Sequence, residues 1–209
     1  MPRRRMTRVE SQAQTRTELL AAAGRVFTRR GYERASIAEI ADEAGYSHGA
    51  VYSNFEGKED LFLALYEQWV AGRIADIEAT WSQDATLAER ARAVADEFMH
   101  WLARDPAPFL LRLEFAVRAA HDRELQQRLA TRVGAVPLAI GRLIEAASQE
   151  QGPALTMPAE ELALCFQALS LGLALETLNN PGTVRPELNG ELAALVVEAL
   201  EARTGPETA

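Results

Sequence analysis

The strongest constraint on the fold is a pair of short apolar repeats, each opened by a serine and separated from the other by a glycine. Ser36 and Ser47 each precede a helical repeat, where a hydroxyl accepts a hydrogen bond from a free backbone amide of the first turn. Gly45 can adopt the left-handed backbone that ends a helix. The sequence therefore predicts a helix over 36–44, a tight turn, and a second short helix over 47–55.

The two helices have faces of different chemistry. The first carries an apolar stripe, which consists of Ile37, Ile40, Ala41 and Ala44. In the second, Val51 and Phe55 are four residues apart and are expected to face that stripe. The opposite side is then small in the middle and polar at its edges. Because small side chains let a helix approach base edges in the major groove, this pattern predicts a helix-turn-helix that binds DNA.

Each predicted DNA contact has a chemical reason. Ala50 suits a thymine methyl group, whereas Asn54 or His48 can hydrogen-bond a base edge or a phosphate. The hydroxyls of Tyr52 and Ser47 suit phosphates, and the next helix opens with a cation, Lys58, where the helix dipole already favours an anion. The predicted DNA-binding residues are Ser36, Ser47, His48, Gly49, Ala50, Tyr52, Ser53, Asn54 and Lys58.

Five residues of the motif have a specific spacing: Ser47, Gly49, Tyr52, Phe55 and Lys58. They are preceded by the first motif helix and, earlier in the chain, by the runs Thr15 to Ala23 and Arg30 to Tyr32. This N-terminal region resembles the DNA-binding domain of the TetR family of one-component transcriptional regulators. The resemblance implies a homodimer that binds operator DNA and responds to a small-molecule effector.

Charge is distributed unevenly along the chain. The net charge is −8, yet residues 1–34 contain nine arginines and three glutamates, a local charge of +6 that leaves −14 on the remainder. Such segregation is typical of a basic DNA-facing end attached to an acidic body. We expect Arg3, Arg4, Arg5 and Arg8 to form a disordered arm that binds phosphates or the minor groove, the alternative being a solubilising tail.

The rest of the chain is expected to be helical, because no segment alternates with period two for long enough to form a strand. We predict an all-α fold of about nine helices. It comprises an N-terminal arm and three-helix helix-turn-helix domain, residues 1–57, and a larger helical ligand-binding and dimerisation domain, residues 58–209. Asp84 is expected to cap one helix, Pro137 is expected to kink another, and residues 151–157 are expected to form a loop.

Aromatic residues of the larger domain have two interpretations. They can line an apolar effector cavity with a few polar anchors, or they can simply fill a core. The predicted pocket consists of Trp69, Phe98, Trp101, Phe109, Phe115, Phe166, Gln167 and Ser170. Glu114 is a further candidate anchor, although Arg118 four residues later makes an ordinary surface pair equally consistent with the sequence.

The segment over residues 160–178 is apolar nearly all round, so one face is expected to pack on the core and another on a partner. With the following helix, 189–203, it is expected to form half of a dimeric four-helix bundle. The predicted interface consists of Leu164, Leu171, Leu175, Leu192, Val196 and Ala199. A two-fold pair doubles the DNA contacts and requires an inverted-repeat operator.

Several other classes of protein are disfavoured. The longest apolar run, about fourteen residues from Leu162, is shorter than a bilayer span, and no apolar signal core precedes the motif. The single cysteine, Cys165, is expected to be a buried packing residue in a reducing cytoplasm. We expect no cofactor, catalytic residue or metal, since phosphate-loop, nucleophile-elbow and zinc-protease motifs are missing and His100 and His121 lack partners at ligand spacing.

The sequence therefore predicts a cytoplasmic repressor that binds an operator as a homodimer and is released by a small molecule. The alternative is a helical protein-interaction module whose DNA binding is weak or lost.

Overall fold

The chain is helical throughout in the computed structural model, which describes residues 7–151 and 156–202. The described residues form ten helices and no strand, which confirms the all-α prediction. The helices are α1 (Arg8–Arg30), α2 (Ile37–Ala44), α3 (His48–Tyr52), α4 (Lys58–Thr80), α5 (Leu87–Arg104), α6 (Ala107–Ala120), α7 (Arg123–Val133), α8 (Ala135–Gln151), α9 (Ala159–Asn179) and α10 (Leu188–Ala202).

The predicted caps of the helix-turn-helix are confirmed. The Ser36 hydroxyl accepts a hydrogen bond from the Glu39 amide, and the Ser47 hydroxyl accepts one from the Ala50 amide, each at 3.2 Å. Gly45 ends α2 with φ of 73°, in the left-handed region. Local hydrogen bonding thus fixes both the start of each helix and the turn between them.

Two predicted details of the later helices need correction. Thr86, two residues after Asp84, caps α5, and its hydroxyl accepts a hydrogen bond from the Glu89 amide. The chain breaks between α7 and α8 at Gly134, three residues before the predicted kink at Pro137. The proline still explains the break, because it has no N–H to donate to the carbonyl four residues earlier and its ring clashes with that carbonyl.

Two predicted segments, the N-terminal arm and the loop over 151–157, lie partly outside the described residues. Arg3, Arg4 and Arg5 lie outside them, as does most of the predicted loop over 151–157. Arg8 was expected in the arm, but it opens α1, because Thr7 forms a capping box with Glu10.

The chain divides into two compact units, Met1–Trp69 with Ala107–Arg132, and Val70–Pro106 with Val133–Ala209. The boundary predicted between residues 57 and 58 therefore falls inside the first unit, which also includes α6 and α7. Buried rings account for this grouping: Phe62 of α4 stacks on Phe115 of α6 with centroids 4.2 Å apart, and Tyr32 packs edge-on to both.

The second unit has a core of small and aliphatic side chains. Where α5 meets α10, the buried residues are Ala88, Ala91, Ala95, Ala193 and Val197. A second cluster joins Ile77 and Trp81 to residues of α8 and α9, including Ile144 and Leu162. Small side chains allow the α5 and α10 backbones to approach closely, so this pair is sensitive to any added volume.

Candidate nucleic-acid interface

Helix α3 points its polar side into solvent, as the sequence predicts. Val51 and Phe55 are buried, with 0% and 2% of their surface exposed. On the other side, His48, Gly49 and Ser53 are exposed and Ala50 is half-buried, while Tyr52 is 61% exposed. A tyrosine so exposed on a five-residue helix has its hydroxyl free to meet a partner.

Two of the predicted contact residues fold back onto their own helix. The Asn54 amide donates to the Ala50 carbonyl at 2.8 Å, and the Ser53 hydroxyl donates to the same carbonyl at 2.9 Å. The Asn54 amide has a second N–H, which meets the Ser53 hydroxyl only at 3.5 Å, and its carbonyl oxygen is an acceptor, so Asn54 can reach a base edge without losing the bond to Ala50.

Helix α1 holds the recognition helix in place through contacts that sequence analysis missed. Arg16 donates to the Asn54 carbonyl at 2.8 Å, and its guanidinium lies 4.2 Å from the centroid of the Phe55 ring. The Tyr46 hydroxyl donates to Glu18 at 2.5 Å, which lowers the pKa of that carboxyl. Neither contact is signalled by periodicity, because both join residues far apart in sequence.

Lys58 has a different role from the predicted one. Its ammonium donates to the carbonyls of Tyr32, Glu33 and Ala35 at 3.0, 3.1 and 3.1 Å. These bonds use all three donors of the group, so in this arrangement none remains for a phosphate. Lys58 is also the only lysine of the chain. A compact ammonium suits three converging carbonyls better than a planar guanidinium does.

Part of the N-terminal positive charge is neutralised within the domain. Arg25 and Arg29 both pair with Glu43 at 2.8 Å, and Arg30 pairs with Glu39 at 3.1 Å. Hydrogen bonds from Arg25 and then Arg29 lower the pKa of Glu43. The charge excess counted from sequence therefore overstates the positive charge available to DNA at this end of α1.

Glu114 and Arg118 do not form the predicted pair with each other. Glu114 accepts hydrogen bonds from the backbone amides of Tyr32 and Glu33, at 3.0 and 3.2 Å. Arg118 pairs with Glu33 at 3.3 Å and with Glu59 at 2.8 Å. Both residues of α6 therefore contact the helix-turn-helix region, and Glu114 is no longer a candidate anchor for an effector.

Comparison with known proteins agrees with this geometry. Residues 19–65 match the family model of bacterial regulatory proteins of the tetR family. Over these residues, which include the helix-turn-helix, the chain is similar to the TetR family.

Two curated relatives are transcription regulators and not enzymes. The chain is 32% identical over 99 residues to the transcriptional activator FasR of Mycolicibacterium smegmatis, which covers 47% of this chain and 45% of FasR. It is 41% identical over 64 residues to the transcriptional repressor AcnR of Corynebacterium diphtheriae, which covers 31% of this chain and 33% of AcnR. The chain thus matches less than half the length of either relative.

A solved structure extends the likeness to nearly the whole fold. FadR from Bacillus subtilis, in complex with stearoyl-CoA, superposes with a TM-score of 0.71 over 87% of this chain and 96% of FadR. At 18% sequence identity this likeness shows a shared fold.

The predicted pocket residues fall in both units. In the first unit, Phe109 and Phe115 are 2% and 0% exposed, and Trp69 lies edge-on to Phe62 at 6.4 Å. Phe115 is enclosed by the rings of Tyr32 and Phe62, so it fills the core of that unit, which was the second of the two interpretations offered for these aromatic residues. Sequence periodicity cannot separate these two roles, since both require an inward-facing ring.

The second unit keeps the other pocket candidates. Phe98 and Trp101 have ring centroids 5.8 Å apart, and the Arg73 guanidinium lies 5.6 Å from the Trp101 centroid. The Ser170 hydroxyl donates to the buried Asn189 at 3.2 Å, so Ser170 has a structural partner. Phe166 packs against both apolar clusters of this unit. The side-chain carbonyl of Gln167 is buried and meets no donor among the described residues.

The predicted interface helices expose large apolar side chains. Leu164 is 58% exposed and Leu175 39%, while on α10 Val196 is 36% exposed and Ala199 is exposed. Leu171 and Leu192 are half-buried. Leu195, which was not among the predicted interface residues, is 58% exposed on α10. Cys165 was expected to be buried but is exposed beside Leu164.

Helix α9 is longer than the apolar run counted from the sequence, so the prediction that this segment is too short to span a bilayer needs correction. Its 21 residues, from Ala159 to Asn179, make it long and apolar enough to cross a bilayer by length and composition alone. The fourteen-residue estimate was too short because the helix continues beyond the apolar run at both ends. An exposed apolar stripe on a helix of a regulator is equally suited to contact with another protein.

Proposed function

We propose that this chain is a cytoplasmic transcription repressor of the TetR family that binds an inverted-repeat operator as a homodimer and is released by a small molecule. The observation that carries the proposal is the exposed polar face of α3, fixed from beneath by buried Val51 and Phe55. An exposed short helix with a rigid base is the element that a helix-turn-helix places in the major groove.

The proposed DNA contacts divide into two kinds. Tyr52, His48 and the Ser47 hydroxyl contact the backbone and fix the register on DNA. The Ser36 and Ser53 hydroxyls already donate to Glu39 and to the Ala50 carbonyl, so each must release that bond before it donates to a phosphate. Gly49 and Ala50 allow close approach, and Ala50 with Asn54 reads base edges. Lys58 no longer belongs to this set, since its donors are occupied by the loop after α1.

Dimerisation is proposed through the apolar face, which we define as Leu164, Leu171, Leu175, Leu192, Leu195, Val196 and Ala199. Exposed apolar side chains clustered on two helices are typical of a contact surface, and Leu164 and Leu195 each leave 58% of their surface in water. A two-fold pair would present two α3 helices to successive turns of DNA, which matches the inverted-repeat operator proposed.

The effector is proposed to bind in the C-terminal domain, 58–209, near Phe98, Trp101, Phe166, Gln167 and Ser170. The unpartnered carbonyl of Gln167 supports this placement, because a buried acceptor without a donor is costly unless a ligand or water satisfies it. The stearoyl-CoA complex of FadR supports a small-molecule site in this fold. The effector can release DNA only if it binds the arrangement that does not bind DNA more tightly than the arrangement that does. The difference in binding free energy is typically about 1–3 kcal/mol.

Selection of duplexes from a random-sequence pool tests DNA binding and requires no assumption about the operator sequence. We expect the wild-type protein to enrich an inverted repeat at low salt. Asn54→Ala should change the enriched bases, whereas Tyr52→Phe should weaken binding evenly on all duplexes. Gln127→Ala, an exposed amide on α7, is the matched control and should change neither. Failure of the wild-type protein to enrich any duplex would favour the protein-interaction module instead.

Repression and release need a separate measurement. Transcription in vitro from a promoter that overlaps the selected duplex should fall as protein is added, and an increase would assign an activator, the role that FasR has. A thermal-shift screen of small molecules, repeated with the duplex present, identifies effectors. We expect a true effector to raise the melting temperature of the protein when no duplex is present, and to weaken the complex between the protein and the duplex.

A further inference from the structure

The loop that joins α1 to α2 is held by side chains from two other helices. Its backbone carbonyls accept three hydrogen bonds from Lys58 of α4. Its backbone amides at Tyr32 and Glu33 donate to the two carboxylate oxygens of Glu114 on α6, at 3.0 and 3.2 Å. A carboxylate with two acceptor oxygens matches two successive amides, in the way that anions bind concave sets of backbone N–H groups.

Gly31 makes this approach possible. It follows α1 with φ of 75°, which side chains other than glycine rarely adopt. A Cβ at this position would lie 3.2 and 3.3 Å from the two Glu114 oxygens, tighter than most real contacts. The glycine therefore serves two purposes, since it turns the amides toward α6 and leaves space for the carboxylate.

A second contact from α6 strengthens the first. Arg118, one turn after Glu114, pairs with Glu33 of the loop and with Glu59 at the start of α4. Its guanidinium also lies 5.7 Å from the centroid of the Tyr32 ring. The loop is thus connected to α6 by both its backbone and a side chain, and α2 and α3 follow directly in the chain.

We infer that Glu114 is a positioning residue, which fixes the α1–α2 loop to α6 and thereby holds α2 and α3 in the arrangement that binds DNA. The inference rests on the proposed function. It adds that effector binding would change DNA binding through the contact between α6 and the α1–α2 loop. Helix α6 begins immediately after Pro106, where the chain leaves the second unit. A shift of α6 would be passed to the helix-turn-helix through the Glu114 contact, because the two bonded amides move with the carboxylate.

Amide hydrogen exchange tests the contact itself. In the wild-type protein, the Tyr32 and Glu33 amides should be protected, and in Glu114→Ala they should exchange at least tenfold faster. Glu114→Gln should give an intermediate result, because its amide offers one acceptor oxygen where the carboxylate offers two. Glu124→Gln removes the same charge from an exposed position on α7 and is the matched control. Unchanged exchange at both amides in Glu114→Ala would overturn the inference.

Duplex binding separates positioning from mere stabilisation. Affinity for the duplex that the wild-type protein selects is measured at a temperature where circular dichroism shows every variant to be folded. We expect Glu114→Ala to bind at least tenfold more weakly, Glu114→Gln to lie between it and wild type, and Glu124→Gln to stay within twofold. A purely structural role predicts lower melting temperatures with unchanged affinity of the folded protein, and that result would overturn the positioning role.

The two proposals fail in different ways. If the wild-type protein selects no duplex, the proposed function is wrong and the positioning role falls with it, while the exchange data still decide whether the contact exists. If a duplex is selected but Glu114→Ala binds it as well as Glu124→Gln does, the proposed function stands and the positioning role is overturned.

Discussion

The recognition helix α3 and the apolar face of α9 and α10 both present side chains to water, but the chemistry of those side chains is opposite. Helix α3 has five residues and exposes hydroxyl, imidazole and backbone groups around Tyr52. Helix α9 has 21 residues and exposes leucines, of which Leu164 is 58% exposed. Exposed polar groups are stable in water because water hydrogen-bonds them. Covering clustered exposed leucines, in contrast, removes apolar surface from water and is favourable.

This difference teaches that the two surfaces need different support. A short helix has too few internal hydrogen bonds to be stable alone, so α3 depends on contacts from α1, such as Arg16, and on its buried pair. Helix α9, with 21 residues, forms many more internal hydrogen bonds and can offer a longer apolar strip. The position of the polar surface on α3 thus depends on contacts from other helices, whereas the apolar face follows from the residues of α9 and α10 themselves.

The largest effect is expected from a charge placed in the apolar face. Leu164→Glu would bury a carboxylate twice in a two-fold interface, at a cost of several kcal/mol per charge. We expect the protein to sediment as a monomer and to lose at least 100-fold in affinity for the selected duplex. Analytical ultracentrifugation measures the first effect and fluorescence anisotropy the second.

Leu110→Glu is the matched control for this experiment. Leu110 is a leucine of α6 that is 48% exposed and lies outside the apolar face. The variant should keep the oligomeric state of the wild-type protein. A dimeric Leu164→Glu, or a monomeric Leu110→Glu, would show that the interface lies elsewhere.

Lys58→Met should have the next largest effect and sharpens the description of α3's supports. Methionine keeps an unbranched stem but removes all three hydrogen bonds to the loop carbonyls. We expect a loss of about 2–3 kcal/mol in the free energy of unfolding, measured with urea. The slope of log affinity against log salt should be unchanged, whereas loss of a phosphate contact would reduce it by about 0.9.

Two controls accompany this prediction. Arg123→Met removes one exposed positive charge from α7 and should change stability by less than about 0.5 kcal/mol. Because Lys58 is the only lysine, amine-reactive labelling followed by mass spectrometry reports on it directly. Equal labelling rates in the native and the urea-unfolded protein would contradict the three hydrogen bonds.

The helix-turn-helix was predictable because its determinants are local. A serine hydroxyl reaches the amide three residues later, and Val51 and Phe55 share a face by spacing alone. Lys58 and Glu114 were misassigned because their partners are 23 to 26 and 81 to 82 residues away. Periodicity tells which side of a helix faces inward, but it does not tell which backbone groups the end of a long side chain meets.

The apolar face was predicted for a different reason. Helix α9 has more leucines than a single buried side can hold, so an exposed apolar surface follows from composition and period together. The effector pocket had no such signal. An inward phenylalanine such as Phe115 has the same spacing whether it lines a cavity or contacts Phe62, and only the fold decides between them.

Gly190→Ala should have a moderate effect, confined to the second unit. A Cβ at Gly190 would collide with the carboxylate of Asp96, which lies against the start of α10. We expect a loss of about 1–2 kcal/mol in the free energy of unfolding, because the Asp96 carboxylate must swing away from α10 and give up the hydrogen bond from the Gly190 amide. Urea unfolding monitored by circular dichroism measures it.

The matched control is Gly72→Ala on α4, where an added Cβ meets nothing within 4 Å. That variant should be stabilised by about 0.5–1 kcal/mol, since alanine favours a helix more than glycine does. Asp96→Ala should restore most of the stability lost in Gly190→Ala. If the double variant is no more stable than the single one, the collision with Asp96 is not the cause.

The smallest effect concerns the same carboxylate and its dependence on pH. Burial raises the pKa of Asp96 above its ordinary value of 3.8, although Arg92, His100 and the Gly190 amide oppose the shift and Glu187 adds to it. A carboxyl whose pKa is raised in the folded state stabilises the protein while protonated, and this contribution is lost as the pH rises through the folded-state pKa. Asp96→Asn, which cannot ionise, should therefore melt higher than wild type near neutral pH and lose that advantage toward about pH 4.

The size of this effect is limited because the Asp96 side chain is only half-buried and water screens part of its charge. We expect no more than about 1 kcal/mol, or about 2–4 °C, by calorimetry. Asp84→Asn, at an exposed position before α5, should show no such trend. An Asp96→Asn protein that gains most stability in acid would reverse the sign and remove burial as the dominant influence on this carboxyl.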